Sequence, residues 1–310
     1  MTPIFFYLSC GIVPDMEHPE ILLIDKPAGM TSFDVVYKVR RKLNPKPHLE
    51  KQSLESTRVH GLSKIQGTTE SLEENVLDST LTDKVKEETQ KVANPWTRLK
   101  VGHAGTLDPL ATGLMIIGVG KGTKKLTELV KLDKEYIAEV RIGESRTTGD
   151  LEGEIIEEKM VADISSEEVD SAVASLIGTH RLPVSAYSAI KKDGKPMYKR
   201  AREAEKKGEV VTDVPMRDMT VYEAEILNIK NIAINRDSGE VVEVADPSTM
   251  VNCSRRVVVT VRFFVASGVY IRSLSEELGK RLGYPATLQN LRRTKVGELS
   301  IEDSQSLNSI

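Results

Sequence analysis

With 310 residues, 39% of them apolar, the chain can bury a core of its own, as one large domain or two small ones. A formal net charge of −3 does not by itself announce a nucleic-acid binder, so any such surface must arise from local charge. Two distant cysteines, Cys10 and Cys253, exclude a disulfide framework and a metal tetrad; the histidines show no H-E-x-x-H spacing; and no apolar run approaches the ~20 residues of a membrane span.

Residues 1–20 read as a flexible leader. The stretch "MTPIFFYLSCGIV" has a short apolar patch but no basic flank, no clear small-residue cleavage site and no presequence arginines. Met16 is an equally good start, and a cytoplasmic location is expected. From Ile21 the pattern turns regular. "ILLID" is an apolar strand and "KPAG" a turn. "TSFDVVYKVRRKL" opens on Thr31 or Ser32 as helix N-cap and sets Val35, Val36, Val39 and Leu43 on one face. Residues 44–98 are rich in Ser, Thr, Glu and Lys, with no Phe, Tyr or Trp before Trp96. They hold too little apolar surface to fold alone and are expected to be a mostly disordered insertion within a domain.

After Lys100 the periodic pattern resumes. "GLMIIGVG" reads as a buried strand, "TKKLTELVKL" as a helix and "KEYIAEVRIG" as a half-buried strand. "SSEEVDSAVASLIG" opens on a capping box, Ser165 to Glu168, lines one face with Val169, Ala172, Val173, Leu176 and Ile177, and ends at Gly178. "MYKRAREAEKKG" is a basic helix closed by Gly208. "MTVYEAEILNI" and "RRVVVTVRFFV" are strands joined by a long, partly ordered hairpin; "YIRSLSEELGKRLG" is an amphipathic helix, and "LQNLRRTKVGEL" closes the fold. Strands outnumber helices and often follow one another directly. That predicts an α+β domain with a central mixed, mainly antiparallel sheet flanked by helices and loops.

Two stretches carry candidate chemistry. Between Arg181 and Gly208 stand nine Lys and Arg against three Asp and Glu, a local +6, with Tyr187 and Tyr198 interleaved. Lysine and arginine neutralise phosphates, and aromatic faces take unstacked bases, so this composition suits single-stranded RNA as well as a solvated basic helix. The second stretch is "GHAGTLDPLATG", Gly102 to Gly113, which holds Asp108. An aspartate in a Gly/Pro loop is commonly a turn former. Here glycines also permit close backbone approach to a ligand, and the apolar strand that follows supplies a stiff support.

"KVGHAGTLDPLATG" resembles the signature of the TruB family of pseudouridine synthases. "IDKPAGMTS" is similar to that family's opening turn, "KEYIAEVRIG" to its tyrosine-bearing strand, and "YSAIKKDGKPMYKRAR" to its basic RNA-facing segment. "GVYIRSLSEELGKRLG" followed by "LQNLRRTKVGEL" resembles its closing elements, and the order is the family's order. The resemblance implies a cofactor-free RNA isomerase with an active-site cleft across its sheet. Such an enzyme breaks a uridine's N-glycosidic bond, turns the uracil and rejoins it through carbon.

By the same resemblance, Asp108 stands at the catalytic aspartate, as nucleophile or as base and charge stabiliser. Arg272 stands at the arginine that pairs with it, and Tyr136 at the tyrosine that stacks on the target base. A uridine inside folded RNA must be flipped out to be reached, and His103 matches the position that fills the space left behind. Tyr270 and Leu291 match pocket-lining positions, Lys26 and Pro27 the turn that orders the catalytic loop, and Thr148 and Asp150 part of a T-x-D-x-x-G pattern. Tyr187 and Lys191 lie in the RNA-facing segment. Arg181 and Val184 depart from the family's usual lead-in to Tyr187.

The implied substrate is uridine 55 in the T-arm stem-loop of tRNA. The alternatives are a site in another structured RNA, or a non-catalytic tRNA-folding aid using the same surface. The expected catalytic domain spans residues 21–307, without a C-terminal PUA-type domain. No metal, no obligate protein partner and a monomer are expected.

Overall fold

The computed structural model describes residues 19–43, 99–209, 211, 213–244 and 253–310. The expectations for residues 1–18, for 44–98 and for 245–252 of the long hairpin fall outside the described residues.

Strand β1 (Ile21–Lys26) alternates buried Leu22, Ile24 and Lys26 with half-buried neighbours. A turn leads into α1 (Ser32–Leu43), which Thr31 caps: its Oγ accepts from Asp34 N at 3.1 Å, and the Asp34 carboxylate accepts from Thr31 N at 2.9 Å. Val35, Val36 and Val39 are buried against β1, β2 (Val101–Ala104) and β3 (Thr112–Val119), as their spacing requires.

The next segment is less helical than expected. A 3₁₀ turn over Gly120–Lys124 precedes a single turn, α2 (Leu126–Leu129). Gly120 has φ 55°, and a Cβ on Gly122 would run into the backbone of Glu20, so close packing there fixes a tight turn in place of a regular helix.

Then come β4 (Lys134–Ile142), β5 (Glu144–Arg146), β6 (Ile155–Glu158) and α3 (Ser166–Ser175), whose predicted Ser165–Glu168 capping box is present. Val169, Ala172, Val173 and Leu176 are buried. Ile177 is instead 46% exposed, because the helix has already ended and the chain reverses at Gly178, φ 112°.

The chain continues through β7 (Gly178–Pro183), β8 (Lys191–Lys192), β9 (Lys195–Pro196), α4 (Met197–Glu205), β10 (Met216–Asn235) and β11 (Val241–Glu243). After the undescribed residues it forms β12 (Cys253–Val265), α5 (Ile271–Leu282), β13 (Ala286–Val296), β14 (Leu299–Ser300) and β15 (Gln305–Ser306).

The main sheet runs β11-β10-β12-β4-β13-β3-β1-β15, with β7 beside β10, β2 beside β3 and β14 beside β13. All pairs are antiparallel except β13–β3 and β1–β15. This is the expected α+β architecture with a mixed, mainly antiparallel sheet. The largest hydrophobic cluster lies between β4, β12 and β13 and helices α3 and α5; a second lies under α1. The short parallel seam sets Arg292 opposite Thr112 and Arg293 opposite Gly113. It delivers the loop between β2 and β3 to the middle of the sheet.

Candidate active site

The β2–β3 loop is pinned from several sides. Lys26, fully buried at the end of β1, donates from Nζ to the carbonyls of Ala111 at 2.5 Å, Pro27 at 3.0 Å and Pro109 at 3.2 Å. Burial, partly offset by the negative charge of Asp108, holds its ammonium down at about 8. Ser32 at the start of α1 donates to Leu107 O at 2.9 Å and accepts from Leu107 N at 2.8 Å. Gly29 N donates to Pro109 O at 2.9 Å.

Arg293, buried in β13, donates to Leu114 O at 2.7 Å and to Gly105 O at 3.2 Å, which clamps both ends of the loop. A Cβ on Gly113 would run into the backbone of Arg293, and its φ of 105° also demands glycine. The loop therefore presents Asp108 from a backbone with few alternatives.

Asp108 meets Arg272. The helix α5 has a nearly all-buried first half, Ile271 to Ser275, and Gly279 lets it close on Ala286 of β13. Arg272 Nε lies 3.1 Å from Asp108 Oδ2, and Nη1 lies 3.8 Å from Asp150 Oδ2. The guanidinium also donates to Thr148 O at 2.8 Å, Ser185 Oγ at 3.1 Å and Tyr187 O at 3.1 Å. One buried arginine thus ties together the Asp108 loop, the 148–150 turn and the segment leading to the basic helix, with a partner on each of its three guanidinium nitrogens.

The Asp108 side chain keeps 34% exposure, so it faces a reachable space. Burial pushes its carboxyl up, Arg272 pulls it back, and Asp150 pushes it up again. Asp150 is buried and accepts from Thr148 Oγ1 at 2.5 Å and from Glu152 N at 3.1 Å.

The other expected residues divide into two groups. Tyr136 and Leu291 are buried in the same hydrophobic cluster as Leu107 and Ala111 of the loop, with Tyr270 packed against its edge. Burial pushes the Tyr270 phenol up; Arg272 lowers it and Asp108 raises it, so it feels the same charges. His103 lies on β2 opposite Ile117. Burial and then the charge of Arg293 hold its imidazole below the usual histidine range, and its buried Nδ1 has no hydrogen-bond partner among the described residues.

Tyr187 reaches the centre through its backbone: its carbonyl accepts from Arg272 and its N–H donates to Ser185 Oγ at 3.2 Å. Its lead-in departs from the family pattern, yet Val184 is fully buried and anchored through its N–H to Pro215 O. Lys191 is exposed on the β8–β9 hairpin and makes no contact with Asp108 or Arg272.

Sequence reasoning missed Arg293, Ser185, Glu152 and Glu276. Arg293 sits at an inward position of β13, between residues of an ordinary-looking "LRRTK", and the only signal was that strand's alternation. Glu276, one turn after Arg272, and Glu152 both have carboxyls raised by burial, with Asp150 raising them further, so Arg272 stands among four carboxylates.

Comparison with known proteins places these features. Residues 69–242 match the family profile described as "TruB family pseudouridylate synthase (N terminal domain)". A relative from Corynebacterium efficiens, "tRNA pseudouridine synthase B", is 34% identical over 93% of this chain and 71% of its own. Proteins of the same name from Corynebacterium diphtheriae and Thermobifida fusca are each 32% identical, over 94% of this chain and 71% and 73% of theirs.

Proposed function

The chain belongs to the TruB family of pseudouridylate synthases, and we propose that it is a tRNA pseudouridine synthase acting on uridine 55 of the T-arm. The observation that carries this reading is Asp108, held on a pinned loop with Arg272 Nε at 3.1 Å and its own side chain one-third open.

The reaction breaks N1–C1′, forms C5–C1′, and moves a proton from C5 to N1. Nothing leaves the nucleotide, so one carboxylate can serve as nucleophile or as base and charge stabiliser without a hydrolytic partner. Arg272 supports the ionised form of Asp108 against desolvation, and its other contacts leave it little freedom to move away. Tyr136 stacks on the flipped uracil, with Tyr270 and Leu291 lining the pocket. His103, kept neutral, fills the vacated stack without the cost of burying a charge. Lys26 holds the loop, Asp150 orients Arg272, and Tyr187 and Lys191 belong to the segment that meets the RNA backbone.

The enzyme works without cofactor or metal, as a monomer with no obligate protein partner, in the cytoplasm. Among the described residues no helix is long and apolar enough to cross a membrane.

The direct test is incubation with an unmodified tRNA transcript, mapping of pseudouridine, and comparison with Asp108→Asn. Wild type should modify position 55, and the variant should bind the tRNA with no detectable turnover. An active Asp108→Asn would remove Asp108 from its role, and a wild type that binds without modifying any uridine would leave only a folding aid.

A further inference from the structure

The outward face of α1 has no place in the site described so far. Phe33 is 69% exposed, the highest value of any large apolar side chain among the described residues, and Tyr37, one turn on, is 54% exposed. Arg41 follows one turn later, and Lys38 lies beside Tyr37; both are exposed. Spacing of four sets Phe33, Tyr37 and Arg41 in one row about 12 Å long.

The acid of this face, Asp34, is occupied at the helix cap by Thr31. Its other basic groups are already committed to backbone: Arg40 donates to Val101 O, and Lys42 to Leu307 O and Asn308 O. What remains outward is two aromatic rings, Arg41, and Lys38, whose Nζ donates to Met30 Sδ at 3.6 Å. Two exposed rings on a helix that already buries a full valine face serve no core.

The position of this row makes it informative. Ser32, next to Phe33 in the chain, holds both backbone groups of Leu107, and Leu107 precedes Asp108. The row therefore starts at the edge of the candidate active site and runs away from it. Two aromatic rings followed by two cations supply what a splayed nucleic-acid strand needs: faces for bases and charges for phosphates. Charge complementarity excludes a basic partner and favours a polyanion.

We propose that the outward face of α1 is an RNA-binding strip, on which Phe33 and Tyr37 stack bases of the substrate RNA beside the flipped uridine while Lys38 and Arg41 hold its phosphates. This deepens, and rests on, the reading of the chain as a tRNA pseudouridine synthase.

The test measures binding of an unmodified tRNA transcript and of its isolated T-arm stem-loop, with single-turnover conversion at saturating RNA. The double variant Phe33→Ala with Tyr37→Ala should weaken tRNA binding at least about tenfold, given the worth of base–aromatic stacking. Phe33→Tyr with Tyr37→Phe should stay within about twofold, because both rings still stack. Arg41→Gln should reduce the slope of log affinity against log salt by about 0.7–0.9. Conversion at saturating RNA should be unchanged in all of them, since none touches Asp108 or Arg272.

A double alanine variant that binds within about twofold of wild type overturns the proposal. Variants that lose thermal stability in place of RNA affinity overturn it too, since another part of the chain then covers the face. A wild type that binds tRNA without making pseudouridine removes the functional reading alone; the strip then stands if the alanine variants lose binding and falls if they do not.

Discussion

The β2–β3 loop and the basic segment after β7 both belong to the proposed function, and they are held in opposite ways. The loop is fixed by buried donors: Lys26 on three carbonyls, Ser32 on both polar groups of Leu107, Arg293 on Gly105 and Leu114. The basic segment is held by surface pairs, Lys195–Glu203, Arg200–Asp193 and Lys192–Asp213, each with one partner more than half exposed. Exposed pairs contribute about 0–1 kcal/mol, whereas a buried carbonyl left without its donor costs about 1–3 kcal/mol. Chemistry at one carboxylate needs fixed geometry; a long flexible polyanion needs charge that can readjust.

The largest effect should come from Arg272, which touches both regions. Arg272→Gln removes the cation beside Asp108 and Asp150, and turnover should fall by at least about a thousandfold. The pH profile distinguishes loss of charge from misfolding. In the proposed role Asp108 is ionised, and burial already raises its pKa, so activity should be lost as pH falls through that raised value. Removing Arg272 takes away the influence that lowers it, so the acid limb of kcat/KM should move to higher pH in Arg272→Gln. An unmoved acid limb would separate Asp108 from Arg272 in function, whatever their distance.

Lys26 tests the loop side alone. Lys26→Met keeps most of the length and the burial but takes the donor from the Ala111 and Pro27 carbonyls, while Pro109 O retains Gly29 N; it should cost about 1–3 kcal/mol in stability and about a hundredfold in kcat, with tRNA affinity little changed. Wild type should itself show an alkaline limb. Lys26 has its pKa depressed to about 8, so its ammonium is present below that value and lost above it, together with donor capacity the loop depends on. A kcat that stays level through pH 9 would mean the loop holds without the charge.

The comparison also explains what the sequence made legible. The loop was readable because its constraints are local: Gly105 and Gly113 both need positive φ, Asp108 sits in a short punctuated run, and "LMIIGVG" announces its support. The α3 capping box was equally local. Arg293 and Glu276 were not, because their roles depend on which strand or turn lies opposite. A charged residue at an inward position looks like any surface charge until its partner is known. The helix expected at Thr123–Leu132 is shortened to a single turn for a related reason, since the contact of Gly122 with Glu20 joins residues a hundred positions apart. The pairing of Asp108 with Arg272 was supplied by family resemblance; no spacing in the chain implied it.

The smallest effect should come from the basic helix, where the comparison is most easily broken. Lys199, Lys206 and Lys207 are exposed on and just after α4, and none takes part in an ion pair among the described residues. Converting all three to Gln leaves Arg272 and its bond to the Tyr187 carbonyl in place, so kcat should hold. If each lysine neutralises one phosphate, the slope of log affinity against log salt should fall by about 2–3 and KM should rise about tenfold near physiological salt. Restoring one lysine at a time should return the slope in comparable steps, as expected of independent screened charges. A triple variant with unchanged slope but reduced kcat would reverse the comparison: the segment would then act on the geometry of Arg272 through Tyr187, and the phosphates would be held elsewhere.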